Sequence, residues 1–183
     1  MNILQNKDIE LRAIEPEDLE ILYRWENNPS VWQVSNTLTP ISRYVLKKYL
    51  EEAGKDIYEM KQLRLIIQLK EEKTPVGTID LFDFDPLNNR AGIGILIADP
   101  EYRRKGYARL SLEALVKYCF EVLKLHQLYC NIAKDNEESI SLFTNFGFVI
   151  TGIKHQWLKK EHGYVDELML QLINPDHHTQ EYP

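Results

Sequence analysis

The chain has 183 residues, of which 44% are hydrophobic and 27% are charged. This composition is typical of one globular domain with a substantial core, and it excludes a fully disordered, collagen-like or low-complexity chain. Acidic residues number 28 and basic residues 22, which gives a net charge of −6. The negative charge argues against nucleic acid and anionic membranes as partners, because both repel an acidic surface.

Three features predict a cytoplasmic protein. The first ten residues, MNILQNKDIE, lack the basic and apolar regions of a secretory signal. No apolar run approaches the roughly 20 residues that a membrane span needs. The only cysteines are Cys119 and Cys130, which we interpret as core residues in a reducing compartment rather than as a disulfide framework.

The first third of the chain predicts one strand and two helices. Ile9–Ala13 alternates apolar and polar residues, as a strand does. A helix should open at Pro16, because proline suits a first helical turn, and end at Asn27-Asn28-Pro29. We expect an irregular stretch to about residue 40, followed by a second helix over residues 42–53 that Gly54 closes.

The centre of the chain predicts three antiparallel strands. Strand patterns cover residues 63–69, 76–84 and 90–98, and turn residues at 71–75 and 86–89 separate them. Connections this short join antiparallel neighbours.

The remaining third alternates helices and strands. A helix is expected over residues 107–124, where one apolar stripe contains Leu112, Leu115, Val116, Cys119, Val122 and Leu123. A strand over 127–133, a helix over 136–146 closed by Gly147, and strands over 148–151 and 164–172 complete the pattern. The helical crossover allows one parallel strand pair. We therefore predict an α/β (α+β) fold with a mixed sheet, a single domain over residues 1–175 and a mobile tail over 176–183.

One segment indicates a binding site for an anion. Arg103, Arg104, Lys105 and Arg109 place four cations around the start of the predicted helix, next to Gly106. Free N–H groups at a helix start bind phosphate oxygens, and glycine lets a ligand approach the main chain closely. Spacing alone leaves a second interpretation open, in which the segment is a solvated basic turn before an ordinary helix.

The same segment resembles the coenzyme A loop of the GNAT N-acetyltransferases. The family pattern Arg/Gln-x-x-Gly-x-Gly/Ala is matched by residues 103–108, Arg-Arg-Lys-Gly-Tyr-Ala. Residues 9–19, 135–140, 146–148 and 163–166 resemble other family segments, so the similarity extends over about 8–173. It is strongest to the branch of ribosomal-protein N-terminal and spermidine acetyltransferases.

The resemblance implies an N-acetyltransferase that uses acetyl-CoA as cosubstrate and no metal. It implies a GNAT-like sheet in which strands 90–98 and 127–133 splay apart around the pantetheine arm. Under it, main-chain groups of Ile95, Leu96 and Ile97 bind pantetheine. Amides of the loop bind the pyrophosphate, namely those of Arg103, Arg104, Lys105, Gly106, Tyr107 and Ala108. Asn136 would contact pantetheine, and it could equally cap its own helix.

Two positions depart from the family pattern, so the catalytic groups stay unknown. Phe143 stands where this branch often has a tyrosine that protonates the leaving thiolate. Gly92 stands where the spermidine branch has a glutamate on the cleft strand. Tyr129 and Asp80 are weak replacement candidates. The interpretation that we favour is a half-buried strand residue for Tyr129 and a solvated or turn-forming residue for Asp80.

The acceptor is expected to be a primary amine, from a protein N-terminus, a polyamine or another small molecule. The walls of the acceptor pocket would include the aromatic residues Trp32, Tyr44, Trp157 and Tyr164, although ordinary core packing explains each of them about as well. No Asp or Glu lies between Asn27 and Tyr49, which argues against simply adopting spermidine as the substrate. The resemblance allows a homodimer. An alternative, which Phe143 and Gly92 favour, is an acyl-CoA-binding module with little or no turnover.

Overall fold

The structure is a computed structural model that describes residues 3–35 and 39–176, and for residues 33–35 it describes the backbone alone. The tail that we predicted to be mobile lies outside the described residues from position 177 onward. Among the helices that are described, none is both long enough and apolar enough to cross a membrane.

One mixed sheet of seven strands runs through the described chain, which confirms the predicted fold class. The strands are β1 (Ile9–Ala13), β2 (Leu63–Leu69), β3 (Pro75–Asp85), β4 (Arg90–Ile97), β5 (Gln127–Ala133), β6 (Val149–Lys160) and β7 (Gly163–Ile173). Their order across the sheet is β1-β2-β3-β4-β5-β7-β6. All neighbours are antiparallel except β4 and β5, which are parallel.

Six α-helices flank the sheet in the described ranges. They are α1 (Leu19–Glu26), α2 (Pro29–Ser35), α3 (Arg43–Glu52), α4 (Ile57–Met60), α5 (Tyr107–Glu121) and α6 (Glu137–Phe146). Pro16 lies in a 3-10 turn before α1 rather than in α1 itself. Helices α2 and α4 were not predicted. Helix α1 ends at Glu26, and Pro29 begins α2, since proline is favoured at a first helical position. Helix α4 has only four residues, too few to show a helical period.

The helix ends explain two errors in the predicted boundaries. Gly54 does not close α3, because the helix ends on Ala53 in a right-handed conformation. Helix α5 ends at Glu121 rather than at 124, and Lys124 takes a left-handed φ of 54°. Gly147 closes α6 with a φ of 113°, as the sequence predicted, because glycine carries no Cβ that would clash there.

The sheet packs a separate apolar core on each face. On the first face, α5 and α6 cover a large cluster that includes Leu65, Ile79, Leu81, Ile93 and Leu112. On the second face, α1 and α3 cover a smaller cluster of Leu22, Trp25, Leu46, Ile66 and Ala98. Because successive strand residues point to opposite faces, β2 contributes Leu65 and Ile67 to the larger cluster and Ile66 to the smaller one.

Strand β6 is eight residues longer than the predicted segment, which ended at residue 151. Its pairing with β7 is interrupted twice by irregular register, and Gln156 takes a φ of 49° there. Apolar side chains such as Val149, Ile153 and Trp157 are exposed along it. The alternation that predicts a half-buried strand is therefore missing, so the sequence pattern does not show this strand at its full length.

Candidate functional site

The parallel strands β4 and β5 form a wedge at the centre of the sheet. They pair only over three positions, from Arg90–Gln127 to Gly92–Tyr129. Both strands then continue without pairing to each other, β4 to Ile97 and β5 to Ala133. On its other side β4 stays paired with β3 as far as Ile97. One edge of β4 is thus left open along the wedge, and its polar groups can bind an extended ligand.

The direction of the main-chain groups shows which β4 residues face the wedge. The amide of Ala98 donates to the carbonyl of Val76 at 3.0 Å, so Ala98 faces β3. Because bonding direction alternates along an antiparallel pair, Leu96 also faces β3, while Ile95 and Ile97 face the wedge. Of the three predicted pantetheine-binding residues, Ile95 therefore presents its N–H and C=O groups to the open edge, and Leu96 presents neither. Ile97 presents its N–H group, while its carbonyl accepts a hydrogen bond from Arg103 at 3.1 Å.

The loop between β4 and α5 presents a row of free amides. Gly106 precedes α5 with a φ of 85°, and Arg104 is also left-handed with a φ of 60°. The first bonded amide of the helix is that of Leu110, which donates to the Gly106 carbonyl at 3.1 Å. Within the described chain, the amides from 104 to 109 donate to no protein acceptor. Such a concave row at the positive end of a helix dipole suits phosphate oxygens.

The cationic side chains of this loop are engaged elsewhere. Arg103 donates to the carbonyl oxygens of Ile97 and Ala98 at 3.1 and 3.2 Å, which ties the loop to the end of β4. Arg104 pairs with Glu138 at the start of α6, with 2.6 Å between nitrogen and oxygen. The Lys105 ammonium lies 5.2 Å from the centre of the Tyr102 ring. Tyr107 and Ala108 form the first turn of α5. An anion at this loop would therefore contact the main-chain amides more directly than the cationic side chains.

Asn136 lies at the start of α6 and caps that helix. Its Oδ1 accepts a hydrogen bond from the Ser139 amide at 3.2 Å. Glu137 and Glu138 follow in the first turn, where negative charge favours the helix dipole. The capping bond uses the carbonyl oxygen of the side chain and leaves its NH₂ group available to a ligand.

Tyr129 and Asp83 meet where the wedge closes. Tyr129 is half-buried on β5, and its hydroxyl donates to an Asp83 oxygen at 3.1 Å. Burial first, and then the hydrogen bond and negative charge of Asp83, raise the pKa of Tyr129 to about 12. A phenol with this pKa is a weak proton donor near neutral pH.

Asp80 is part of an ion-pair network, so the expectation of a solvated or turn-forming residue is wrong. Arg64 of β2 contacts Asp80 at 2.6 Å and Glu26 of α1 at 2.8 Å. The Asp80 side chain is only 18% exposed. Burial alone would lower the pKa of Arg64, but the two carboxylates raise it overall. The network joins α1 to the second face of the sheet. It also pairs the Asp80 carboxylate with the guanidinium of Arg64, which stays charged.

Comparison with known proteins identifies the family. A family model described as acetyltransferase (GNAT) domain matches residues 8–149. The spermidine N(1)-acetyltransferase of Escherichia coli K12 is 31% identical over 144 residues, which cover 79% of this chain and 74% of that protein. The chain belongs to the GNAT acetyltransferase family. It is an acetyl-CoA-dependent N-acetyltransferase, as the sequence predicted.

Solved structures share the fold of this GNAT chain. The spermidine N-acetyltransferase of Vibrio cholerae, in complex with CoA and spermine, superposes with a TM-score of 0.83 at 24% identity, over 92% of this chain and 96% of that one. A dodecameric structure of the Vibrio cholerae enzyme in an intermediate state superposes with a TM-score of 0.77 at 22% identity, over 97% and 100% of the two chains.

Phe143, at the position of the frequent GNAT tyrosine, is part of the core. It is 3% exposed and packs edge-on against Phe148, with 5.0 Å between ring centres. A phenyl ring has no proton to donate, so this GNAT chain has no acid at that position.

Gly92, at the position of the glutamate in the spermidine branch, makes room for an aromatic side chain. The Phe82 ring lies across Gly92, where it would overlap any Cβ. The same ring packs edge-on against Tyr129, with 5.8 Å between ring centres. At the closed end of the wedge, this GNAT chain therefore has the Phe82–Tyr129 pair where the resemblance would place a glutamate. Sequence reasoning missed Phe82, because its role depends on a glycine that lies opposite it on the next strand.

The four aromatic candidates for the acceptor walls do not form one cluster. Trp32 donates its indole N–H to the Glu26 carbonyl at 2.6 Å. Tyr44, Trp157 and Tyr164 are each at least 60% exposed. Only Trp32 is thereby tied to the helix that carries part of the ion-pair network.

Proposed function

We propose that this GNAT chain transfers the acetyl group of acetyl-CoA to a primary amine of a small aliphatic polyamine. The observation that carries the proposal is the wedge between β4 and β5, because it leaves an open strand edge that leads to a row of free amides. The likeness to proteins named spermidine acetyltransferases supports a polyamine as the acceptor.

We propose a division of labour along the wedge for the donor. Main-chain groups of Ile95 and Ile97 would bond the pantetheine amides in the manner of an added strand, and Leu96 would contribute through packing. The free amides of residues 104–108 would hold the pyrophosphate, whereas the Arg103 amide already donates to the Pro100 carbonyl at 3.1 Å. The free NH₂ of Asn136 would reach the pantetheine arm. Arg103 would act by fixing the loop rather than by contacting phosphate.

We propose direct attack of the amine on the thioester carbon, and the energies favour it. An alkyl amine with a pKa of about 10.4 must lose a proton near pH 7, which costs roughly 4.6 kcal/mol. The leaving thiol, with a pKa of about 8.5, gains only about 2 kcal/mol from a proton donor at that pH. Deprotonation of the amine is therefore the larger barrier, so a missing acid at Phe143 is tolerable when the wedge aligns the reactants.

The charges of the second face support a cationic acceptor. The segment from Asn27 to Tyr49 lacks acidic residues, and this had argued against spermidine. The fold supplies carboxylates from other segments, since Glu26, Asp80 and Asp83 come from α1 and β3. Arg64 neutralises part of the charge of the first two, whereas Asp83 has no ion pair in the described chain.

We further propose that residues 1–175 act as a single domain in the cytoplasm and that the chain self-associates as a homodimer. All strands of the described chain share one sheet, and both cysteines are buried and unpaired. Exposed Ile150, Ile153 and Trp157 lie on the edge strand β6, where an apolar surface favours contact with a second copy.

The test is release of free thiol from acetyl-CoA with a panel of amines, with the product identified by mass spectrometry. We expect turnover with spermidine and related polyamines, and a product heavier by one acetyl group. Thiol release with peptides alone would indicate that the acceptor is a protein N-terminus and not a polyamine. Binding of acetyl-CoA without release by any amine would favour the non-catalytic acyl-CoA-binding module.

A further inference from the structure

A cavity opens at the closed end of the wedge, on the second face of the sheet. Its volume is about 450 Å³, and it gathers side chains from five strands, among them Asp83, Asp85, Arg90, Tyr129, Asn131 and Lys154. Tyr129 belongs to the last paired position of the parallel strands, so the cavity begins where the wedge ends.

The polarity of the donor site directs the reacting end toward this cavity. The phosphate-binding loop follows the carboxyl end of β4, so a pantetheine arm laid along β4 runs from there toward Gly92. The strands rejoin at Gly92 and Tyr129, which places the far end of the arm beside that pair. An acceptor that approaches from the second face then passes over the cavity.

The charged groups of the cavity are paired, with one exception. Asp85 contacts Arg90 at 3.2 Å and accepts a hydrogen bond from the Asn88 side chain at 2.7 Å. Lys154 contacts Glu167 at 2.7 Å. Asp83 accepts one hydrogen bond from Tyr129 and forms no ion pair with any residue of the described chain.

We propose that this cavity binds the second, non-reacting ammonium group of a diamine or polyamine, with Asp83 as its counterion. The edge-on rings of Phe82 and Tyr129 provide the apolar surface along which the methylene chain between the two nitrogens lies. Asp83 is thus a specificity-determining residue that separates diamines from monoamines. The inference rests on the proposed amine acetylation and deepens it.

The test compares two probes of equal length that differ by one charge, 1,4-diaminobutane and 1-aminopentane. Their dissociation constants are measured by calorimetry on the full chain saturated with CoA, which carries no acetyl group and cannot react. We expect the wild type to bind the diamine about threefold to fivefold more tightly, the size of one charge pair at an exposed carboxylate. Asp83→Asn should abolish this preference and leave the affinity for the monoamine within about twofold.

Asparagine is the suitable substitute because Asp83 has a φ of 48°, a conformation that asparagine tolerates. The matched control is Asp8→Asn, at an exposed aspartate that does not line the cavity, and it should keep the preference. In the wild type, raising the salt concentration should reduce the preference, because salt screens a partly exposed charge pair. This second measurement needs no variant.

Two results would overturn the inference: equal affinities of the wild type for both amines, or a diamine preference that survives in Asp83→Asn. Thiol release from acetyl-CoA separates this failure from that of the proposed function. If free thiol is released equally with monoamines and diamines, only the role of Asp83 is refuted. If free thiol is released with none of the amines, the proposed acetylation itself is refuted.

Discussion

The two ends of the wedge are built in different ways. The phosphate end is the open end of the wedge, where we propose that the pyrophosphate binds. It comes from one continuous segment, in which Arg104 and Gly106 have left-handed conformations and the amides from 104 to 109 are free. The acceptor end is the closed end of the wedge, where we propose that the amine binds. It is formed by side chains from five strands, and its shape depends on the Phe82–Tyr129 pair, of which the Phe82 ring lies across Gly92. The first end needs a backbone conformation, and the second needs side chains that are distant in the chain to pack together.

This contrast predicts which substitutions each end tolerates. Where the main chain binds the ligand, side chains can vary as long as the backbone can take a positive φ. Where side chains form the site, an added methyl group or an unpaired charge is costly. We therefore expect larger losses of stability at the acceptor end and a more selective loss of CoA affinity at the phosphate end.

The largest effect is expected for Arg64→Met, in the ion-pair network that joins α1 to the second face of the sheet. It leaves Asp80 and Glu26 without their shared cation in a partly buried setting, which should lower the free energy of unfolding by about 3 kcal/mol. Urea denaturation measures this loss. The matched control is Arg43→Met, because the Arg43–Glu20 pair is more than half exposed and its loss should change the free energy of unfolding far less. Equal losses in both variants would contradict the structural role of the network.

The next effect is expected for Gly92→Ala, which tests the aromatic closure directly. The new methyl group would overlap the Phe82 ring, and the strain should cost about 2 kcal/mol. Thermal unfolding would show the loss, and Phe82→Leu in the same chain should recover part of it. Gly94→Ala serves as the control, since a Cβ there meets the same ring at an ordinary 3.8 Å. A tolerated Gly92→Ala would mean that the ring is free to move aside.

A smaller change in stability is expected for Gly106→Ala, at the phosphate end. The φ of 85° should cost about 1 kcal/mol, although the methyl group meets no atom within 4 Å. CoA affinity, measured by calorimetry, should fall several-fold because the methyl group obstructs close approach to the amides. Gly54→Ala is the control, as its Cβ also meets open space and its φ is not left-handed. Unchanged CoA affinity in Gly106→Ala would argue against the loop as the phosphate site.

The smallest effect concerns the ionisation of Tyr129. Its pKa is raised to about 12, so stability should decline as the pH rises from the usual 10 toward 12, because the unfolded chain loses this proton more easily. Asp83→Asn should lower the pKa but keep it above 10, since burial is the larger cause. Absorbance titration of the ten tyrosines, with Tyr129→Phe as reference, isolates the transition. A Tyr129 pKa that Asp83→Asn leaves unchanged would contradict the contact.

Sequence reasoning succeeded where the signal is local and periodic. The limits of β1, β2 and β5 agree with the prediction, because apolar spacing and turn residues define them. It failed for α2, which begins at Pro29, and for α4, which has only four residues. It also failed for most of β6, which lacks a buried face. It also misjudged Asp80, since a strand residue with a neighbour as distant as Arg64 gives no sign of the ion pair.

The sequence by itself determined the family, the order of most elements and the position of the loop that we propose binds the pyrophosphate. These depend on short-range features: a periodic apolar stripe, a glycine before a helix, and turns between strands. Only the tertiary structure decided which β4 residues face the wedge, that Phe82 fills the space above Gly92, and that Asp83 meets Tyr129. The physical reason is that strand pairing and side-chain packing bring together residues far apart in the chain, and no local pattern records their contact.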